Sequence, residues 1–265
     1  MKGIIDFHTH AFPDDLSERV IKMLEDEGGI KARLDGKISS LLSSMDNCGI
    51  EKSVICNIAT KPSQFDSILQ WCKTVRSERI IPFPSFHPYD PEFKERIDEI
   101  KHEGFKGIKF HPYYQNFSID EERLFPVYEK ILDDNLILVM HTGFDFAFAR
   151  TKIADPEKII TIVQNFPALK LVTTHLGAWK LWEEVEQFLL GKPIYMEISF
   201  SLEFLDADAA KKIIANHPPE YILFGTDSPW TEQQKTLSLL QGLQLEKEKE
   251  EHILRENAMK LLDSV

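Results

Sequence analysis

Three polar residues alternate along the apolar run near the start of the chain. In GIIDFHTHAF, residues 3–12, Asp6, His8 and His10 are each separated by one residue. In a β-strand, residues two apart project to the same side, about 6.6 Å apart along the backbone, so both imidazoles can lean toward one ion. Asp6 fits two roles equally well: an acceptor that orients a ligand histidine, or a brace for the backbone. The run therefore predicts a strand with a chemically active side.

Three more polar residues each follow an apolar run directly. His141 ends such a run in LVMHTG, His175 in VTTHLG and Asp227 in FGTDSPW. Imidazole nitrogens and a carboxylate oxygen are the ligands that divalent transition metals use, with Zn²⁺ first among them. If the fold brings these segments together, the sequence predicts a site for one divalent ion with an open position for water.

The elements that would position these residues repeat along the chain. Eight short apolar segments alternate with amphipathic ones, and helices are predicted to open at Asp90–Pro91 and at Asp155–Pro156. Strand, helix and strand in repetition imply parallel pairing, and eight such units match a (β/α)₈ TIM barrel in number and length. We therefore predict one α/β domain over residues 1–265. The predicted strands are residues 3–7, 53–58, 80–86, 106–110, 136–140, 169–174, 193–198 and 221–226.

The barrel fold would also explain why the chemical residues are scattered in sequence. In a (β/α)₈ barrel the active site lies at the carboxyl ends of the strands, where residues from different strands converge. One irregular interval, residues 27–40, adds chain between the first strand and the helix before the second. We expect this insertion to lie at the barrel mouth.

Composition limits the classes of partner. The chain has 31 basic and 43 acidic residues and a net charge of -12, which disfavours nucleic acid and anionic membrane surfaces and favours a small-molecule substrate. The three cysteines show no metal-ligand spacing and no disulfide framework, which fits a reducing cytoplasm. No apolar run approaches the ~20 residues that span a bilayer, and no leader precedes Ile4, so a soluble cytoplasmic protein is expected.

The motifs together resemble the amidohydrolase superfamily, in the branch that includes aminocarboxymuconate-semialdehyde decarboxylase-like proteins. The matching segments, DFHTH, GIKFHP, VMHTG, THLG, FGTDSPW and ILRENAMKLL, run from residue 4 to about residue 262. The resemblance implies a mononuclear site with His8, His10, His141 and Asp227 as metal ligands. It also implies that His175 orients or polarises the bound water and transfers protons, and that the protein is a homodimer. The chain is shorter than the named decarboxylase type, which leaves the substrate open.

The fourth predicted strand raises a competing arrangement. In KGIKFHP, Lys109 and His111 share a side and both can point inward at the mouth. Some members of the superfamily carry a carboxylated lysine at this strand end that bridges two metals. Alternatively, a cationic Lys109 grips a substrate carboxylate as a point charge, and we rank this first. His111 and His87, which follows the third strand, are predicted substrate contacts. The remaining histidines, His102, His217 and His252, fall in helical or turn segments and are predicted at the surface.

Two reactions fit such a site. A divalent ion lowers the pKa of bound water toward ~7 and polarises carbonyl groups, which favours hydrolysis of an ester, lactone or amide in a small carboxylate-bearing molecule. Asp227 would accept the proton of that water, and His175 would stabilise charge or protonate the leaving group. The alternative is non-oxidative decarboxylation of an unsaturated or aromatic acid. A catalytically silent binding barrel ranks below both, because a buried cluster of polar groups is costly to keep without a role.

Overall fold

Eight parallel strands form the centre of the protein, which is described by a computed structural model over residues 3–265. One sheet pairs β1, β2 and β3, and a second pairs β4 to β8, each strand beside its neighbour in sequence. The strands are β1 Ile4–Thr9, β2 Ile50–Cys56, β3 Ile80–Phe83, β4 Gly107–Phe110, β5 Ile137–Met140, β6 Lys170–Thr173, β7 Tyr195–Glu197 and β8 Ile222–Leu223.

Backbone hydrogen bonds join the two sheets into a closed barrel. On one side the Lys109 N–H of β4 donates to Pro84 O just after β3, at 3.0 Å. On the other side the Phe7 N–H of β1 donates to Phe224 O after β8, at 2.8 Å. The strands therefore leave no free sheet edge, as a barrel requires.

Helices follow the strands and cover the barrel. Their apolar faces pack on the outer side of the strands, where residues such as Ile97, Tyr128 and Ile159 are buried. The helices are α1 Asp14–Gly28, α2 Ile38–Cys48, α3 Phe65–Val75, α4 Phe93–His102, α5 Pro112–Gln115, α6 Phe125–Asp133, α7 Pro156–Asn165, α8 Trp182–Phe188, α9 Ser201–Phe204, α10 Ala207–Asn216, α11 Gln233–Gly242, α12 Lys247–Glu251 and α13 Asn257–Asp263. None of the helices in residues 3–265 is long and apolar enough to cross a membrane.

A smaller apolar cluster fills the barrel itself. Phe7, Val54 and Phe83 project inward and are fully or almost fully buried, and Leu261 of α13 covers the amino-terminal end of the strands. The polar side chains of the barrel interior lie at the opposite end. The barrel interior is thus divided into an apolar base and a polar mouth, as in a (β/α)₈ enzyme.

The structure confirms the predicted barrel of eight strands and adjusts their ends. β1 runs two residues further than predicted, to Thr9. β8 is shorter, because the chain after Leu223 turns inward, where Thr226 N donates to the Asp6 carboxylate at 3.0 Å. The predicted helix starts also hold: α4 begins three residues after Asp90, and α7 begins at Pro156.

The insertion after the first strand lies at the mouth, as predicted. It forms the end of α1 and the loop to α2, and its Arg33 N–H donates to Pro229 O after β8 at 2.6 Å. Gly36 in this loop has φ 76°, in the left-handed region that favours glycine. Helix α2, rather than α1, packs on the outside of the barrel against β2. Helix α1 lies against the cavity instead.

One histidine prediction is wrong. His217 was expected at the surface, but it is buried, and its Nε2 donates to Ile194 O at 2.8 Å. The ring closes a gap at the end of α10, where its backbone N–H also caps the helix by donating to Ile213 O. A residue in a turn after a helix is therefore not necessarily solvated.

Candidate active site

Two histidines of β1 and an aspartate after β8 meet at the barrel mouth. His8 Nε2 lies 3.1 Å from His10 Nε2, and Asp227 Oδ1 lies 3.1 Å from His10 Nε2 and 3.5 Å from His8 Nε2. The three ligand atoms are all within 4.8 Å of one another. The structure thus brings together three of the four residues predicted as metal ligands.

The other ring nitrogens show how the two imidazoles are oriented. His8 Nδ1 lies 3.0 Å from Glu197 Oε1, and His10 Nδ1 lies 2.7 Å from Cys56 O. Both partners are acceptors, so each Nδ1 carries the proton and each Nε2 presents a lone pair. Two lone pairs and a carboxylate oxygen pointing at one place fit a divalent cation, which would satisfy all three.

The charges at this place agree with that assignment. Burial, followed by the neighbouring Lys109, lowers the pKa of His8 well below its ordinary value, so the ring is neutral. Burial acts to raise the pKa of Asp227, but His8 and His10 outweigh it and hold this pKa below its usual range. Neutral imidazole and ionised carboxylate are the protonation states that ligate metals.

His141 is linked to this group through His175 rather than joined to it directly. His141 Nδ1 lies 3.2 Å from His175 Nε2, while His141 Nε2 donates to Phe144 O at 3.1 Å. His175 Nδ1 lies 3.1 Å from Ser199 O. The lone pair of His141 Nδ1 therefore faces the site, but outside the compact group of His8, His10 and Asp227.

Two of these residues occupy an uncommon backbone conformation. His175 has φ 58° and Asp227 has φ 62°, both in the left-handed region. A non-glycine residue there is strained, and such residues cluster at active sites, where the rest of the fold holds them. His175 lies two residues after β6 and Asp227 four residues after β8, and in both cases the side chain lines the cavity at the mouth.

Lys109 lies at the mouth next to the candidate metal ligand His8. It is fully buried, and its Nζ lies 3.2 Å from His8 Nε2. Among the cavity-lining residues of the described chain, it is the one lysine or arginine. Its position beside a ligand nitrogen suits either a grip on a substrate carboxylate or the bridging carbamate considered above.

His111 lies at the same mouth, in a second group with His141 and Asp145. His111 Nε2 is 3.4 Å from Asp145 Oδ2, and His141 Nε2 is 3.8 Å from it. The two imidazole rings are stacked, with centroids 4.0 Å apart and an 11° angle between planes. Lone pairs lie in the ring planes, so these stacked rings keep them in nearly parallel planes rather than converging on one ion between the rings. This group fits a metal poorly, and His111 with Asp145 forms a donor and acceptor pair on the cavity wall.

His87 does not reach the cavity. Its Nδ1 accepts a hydrogen bond from Tyr89 N at 3.2 Å, and its ring packs against the Tyr89 ring with centroids 5.5 Å apart. It is absent from the residues that line the cavity in the described chain. The structure therefore gives no support for the predicted substrate contact of His87, because the chain turns away after β3.

Glu197 is a functional residue to which sequence reasoning assigned no role. Its carboxylate is fully buried and accepts hydrogen bonds from His8 Nδ1 at 3.0 Å, His175 N at 3.0 Å, Ser199 Oγ at 2.8 Å and Ser199 N at 2.6 Å. A Cβ on Gly225 would overlap this carboxylate, so glycine is required there. The signal was present in the sequence: an acidic residue inside the apolar segment PIYMEI.

Asp6 braces the backbone rather than a histidine ring. It accepts hydrogen bonds from Thr226 Oγ1 at 2.6 Å and Gln233 Nε2 at 2.7 Å, and from the backbone N–H groups of His8 and Thr226. Burial raises the pKa of Asp6 to about 7 against these hydrogen bonds. Asp6 thereby ties β1 to the turn that carries Asp227, and this settles the choice between its two predicted roles.

One cavity of about 410 Å³ is lined by the metal-ligand candidates, Lys109, His111, Asp145 and His175, whereas His87, Glu197 and Asp6 lie outside its lining. Its polar floor is formed by the histidines, Lys109 and Asp227. Its walls are largely apolar and aromatic, with Trp179, Trp230 and Phe146 among them. This volume lies within the range of small-molecule sites, about 300 to 1,000 Å³. The site can hold a small, largely apolar molecule with one acidic end.

Several solved structures are similar to the chain over its whole length. An uncharacterised TIM-barrel protein from Bordetella bronchiseptica is 21% identical with TM-score 0.80, covering 99% of both chains. A dihydroxybenzoic acid decarboxylase from Polaromonas sp. JS666, solved with manganese and 2-nitroresorcinol, is 15% identical with TM-score 0.75, covering 99% of this chain and 97% of that one. A putative 2-pyrone-4,6-dicarboxylic acid hydrolase from Pseudomonas putida is 14% identical with TM-score 0.68, covering 100% and 98%.

These identities are low, so the structural likeness shows the fold. No curated protein matches the sequence significantly. The family is shown by a different comparison: the family model described as Amidohydrolase matches residues 5–263. That range includes every residue of the polar floor, from the two histidines of β1 to Asp227 after β8. The chain therefore belongs to the amidohydrolase superfamily, as its motifs predicted.

Proposed function

We propose that the protein is a metal-dependent, non-oxidative decarboxylase of an aromatic or otherwise unsaturated carboxylic acid. The observation that carries this proposal is Lys109, a buried lysine whose Nζ lies beside His8 on the floor of a cavity with largely apolar and aromatic walls. Six of the similar solved structures are named decarboxylases, which supports the alternative raised from the sequence over hydrolysis. One domain, residues 1–265, would contain the whole site.

Lys109 and His111 would bind and orient the acid. The Lys109 ammonium pairs with the carboxylate, while the apolar walls exclude water from it. The substrate carboxylate loses its hydration when it is bound in this cavity. Its loss as carbon dioxide removes the group in a neutral form that needs no hydration. His111, whose Nε2 faces Asp145, lines the cavity where it would contact a polar substituent of the ring.

The reaction needs no oxidant. The bond between the carboxylate carbon and the ring carbon breaks, its electron pair stays on the ring carbon, and a proton forms the new C–H bond. Asp227 and His175 both line the cavity and are the groups that can hold and deliver this proton. A divalent ion held by His8, His10 and Asp227, with His141 completing the predicted ligand set, would supply positive charge against the negative charge that develops on the substrate.

We propose one such ion per chain. The imidazole and carboxylate donors suit Zn²⁺, and the similar Polaromonas enzyme was solved with manganese, so Zn²⁺ and Mn²⁺ are the two candidates. Metal analysis of the purified protein tests the number. A ratio near two would favour the model with a carboxylated Lys109, because a bridging carbamate needs a second metal.

Hydrolysis is the second candidate, and the similarity to the putative 2-pyrone-4,6-dicarboxylic acid hydrolase favours it. The same side chains would serve. Asp227 would accept a proton from the attacking water, and His175 would protonate the leaving group. The cavity opposes a dicarboxylate, however, because it offers Lys109 as its one lysine or arginine among the described lining residues, while Asp145 adds negative charge.

Isotopes separate the two reactions. Dihydroxybenzoic acids labelled with ¹³C in the carboxyl group, and a matched set of lactones and phenyl esters, would be incubated with the metal-loaded protein in H₂¹⁸O and in D₂O. A decarboxylase releases ¹³CO₂ and places one deuterium on the ring carbon. Entry of ¹⁸O into a product, without ¹³CO₂, would show a hydrolase.

Asp227→Asn and the control Asp120→Asn, at a residue outside the cavity lining, complete the test. The first removes a ligand oxygen and the proton carrier, and the second removes a partly buried ion pair with Lys158. We expect activity to be lost in the first variant and kept in the second. Binding of 2-nitroresorcinol by the wild type, equal binding by Asp227→Asn and no turnover by either would indicate a silent binding barrel instead. Light scattering of the same samples tests the predicted homodimer.

A further inference from the structure

The cavity has a second wall that the proposed chemistry does not use. Helix α1 faces it with Leu16, Val20 and Leu24, which recur every fourth residue and form one stripe. Helix α3 faces it with Ile68 and Trp71. These two helices form an apolar wall beside the polar floor, which we call the α1–α3 wall.

The α1 side chains of this wall are not packed into the protein core, while Ile68 and Trp71 of α3 pack against the core and are only partly buried. In α1 only Ser17 and Ile21 are buried, while Leu16, Val20 and Leu24 remain partly exposed. Met23, at the outer end of the stripe, is 48% exposed. Apolar surface kept in contact with water is unfavourable, and when it lies in a cavity continuous with a catalytic site it is typical of ligand binding.

The size and charge of the cavity point the same way. A single ring with one carboxylate is enough for the chemistry proposed at the polar floor. The cavity extends further, from the floor to the α1–α3 wall and to the insertion residue Ile30. Among the described residues of the α1–α3 wall that line the cavity, none is charged. A ligand with its acidic end at Lys109 would therefore meet only apolar or neutral groups along these helices.

We propose that the α1–α3 wall binds an extended apolar substituent of the substrate. The substrate class is then a carboxylic acid with an apolar chain on the side of the molecule away from the carboxylate. The inference rests on the proposed function for placing the carboxylate at Lys109. It adds that α1, the helix at whose end the insertion begins, determines specificity together with α3.

A homologous series of acids tests this subsite without requiring any reaction. Calorimetry would measure the affinity of the metal-loaded protein for benzoate and for 4-methyl-, 4-ethyl-, 4-propyl- and 4-butylbenzoate. A fully buried methylene is worth about a fourfold gain in affinity. Because the wall is partly open, we expect about threefold tighter binding for each added carbon.

Two variants and one matched control locate the effect. Val20→Asn and Ile68→Asn place an amide in the wall, and each should flatten the series while leaving benzoate affinity unchanged. Val163→Asn makes the same change on α7, in a partly buried valine that does not line the cavity, and should keep the full slope. Circular dichroism confirms that each variant is folded, and either wall variant alone is sufficient for the test.

The proposal is overturned by a flat series in the wild type, or by a slope that survives in the folded wall variants. A flat series together with a dimer that Val20→Asn dissociates would show that a second copy of the chain covers the wall, which also overturns it. Failure of the proposed function looks different: the labelled acids then release no carbon dioxide, while the affinity still rises with chain length.

Discussion

Replacing Glu197 with glutamine tests how the site is held. The Glu197 carboxylate accepts four hydrogen bonds inside the barrel, three at Oε1 and one at Oε2. A glutamine has one acceptor oxygen and one amide nitrogen. In its better orientation it keeps the three bonds at Oε1 and points its N–H₂ at the backbone N–H of Ser199. One buried donor then loses its acceptor, and three bonds to a charged group become bonds to a neutral one.

The size of the effect follows from these contacts. An unsatisfied buried donor costs about 1–3 kcal/mol, and a hydrogen bond to a neutral acceptor is weaker than one to a charged acceptor by about 1 kcal/mol. Together these effects should lower the free energy of unfolding of Glu197→Gln by about 4–6 kcal/mol. At about 2–4 °C per kcal/mol for a chain of this size, the melting temperature should fall by about 8–24 °C. Because the His8 ring also loses its charged partner, affinity for Mn²⁺ or Zn²⁺ should fall about 10- to 100-fold.

Thermal unfolding and metal titration by calorimetry measure the two effects. Glu186→Gln is the matched control, since Glu186 is in a surface ion pair with Lys212 whose loss should cost less than about 1 kcal/mol. Metal affinity equal to that of the wild type in folded Glu197→Gln would refute the role given to this carboxylate. A melting temperature within about 1 °C of the wild type would refute the hydrogen-bond count as a source of stability.

Three further variants probe other parts of the site. Asp227→Asn removes the anionic ligand, so metal content by mass spectrometry should fall while the fold persists; full metal occupancy would exclude Asp227 as a ligand. Lys109→Met keeps the length of the side chain but removes its charge, so binding of benzoate should weaken at least tenfold with unchanged metal content; loss of the metal instead would indicate that Lys109 is a carboxylated ligand. Asp145→Asn should leave metal content unchanged and improve binding of a benzene dicarboxylate relative to benzoate, because a negative charge leaves the cavity wall; loss of one metal per chain would show that the His111, His141 and Asp145 group does bind an ion.

The sequence predicted the barrel because its signals are local. Short apolar segments identify strands, and Asp–Pro pairs identify helix starts. The eight strands and the helices that begin near Asp90 and Asp155 could therefore be predicted from the sequence. His8, His10 and Asp227 could be predicted as site residues for a related reason. Each lies within or after a predicted strand, and a barrel brings the carboxyl ends of its strands together.

The remaining features depend on the path of the chain in space. No local pattern separates His87, where the chain turns away from the mouth, from His111, where it stays. Asp145 lies in a loop whose course is set by the β5 and β6 ends, as in the hydrogen bond from Phe144 N to Trp179 O at 3.0 Å. The use of α1 as a cavity wall likewise depends on the path of the chain after β1, and its apolar stripe alone would equally fit a helix packed on the barrel.

Anomalous diffraction from crystals grown with Mn²⁺ is the most direct test of the metal site. We expect one peak per chain, about 2.0–2.3 Å from His8 Nε2, His10 Nε2 and Asp227 Oδ1. Absence of a peak there under saturating Mn²⁺, or a peak at His111 and Asp145 alone, would contradict the assignment of these three residues as metal ligands.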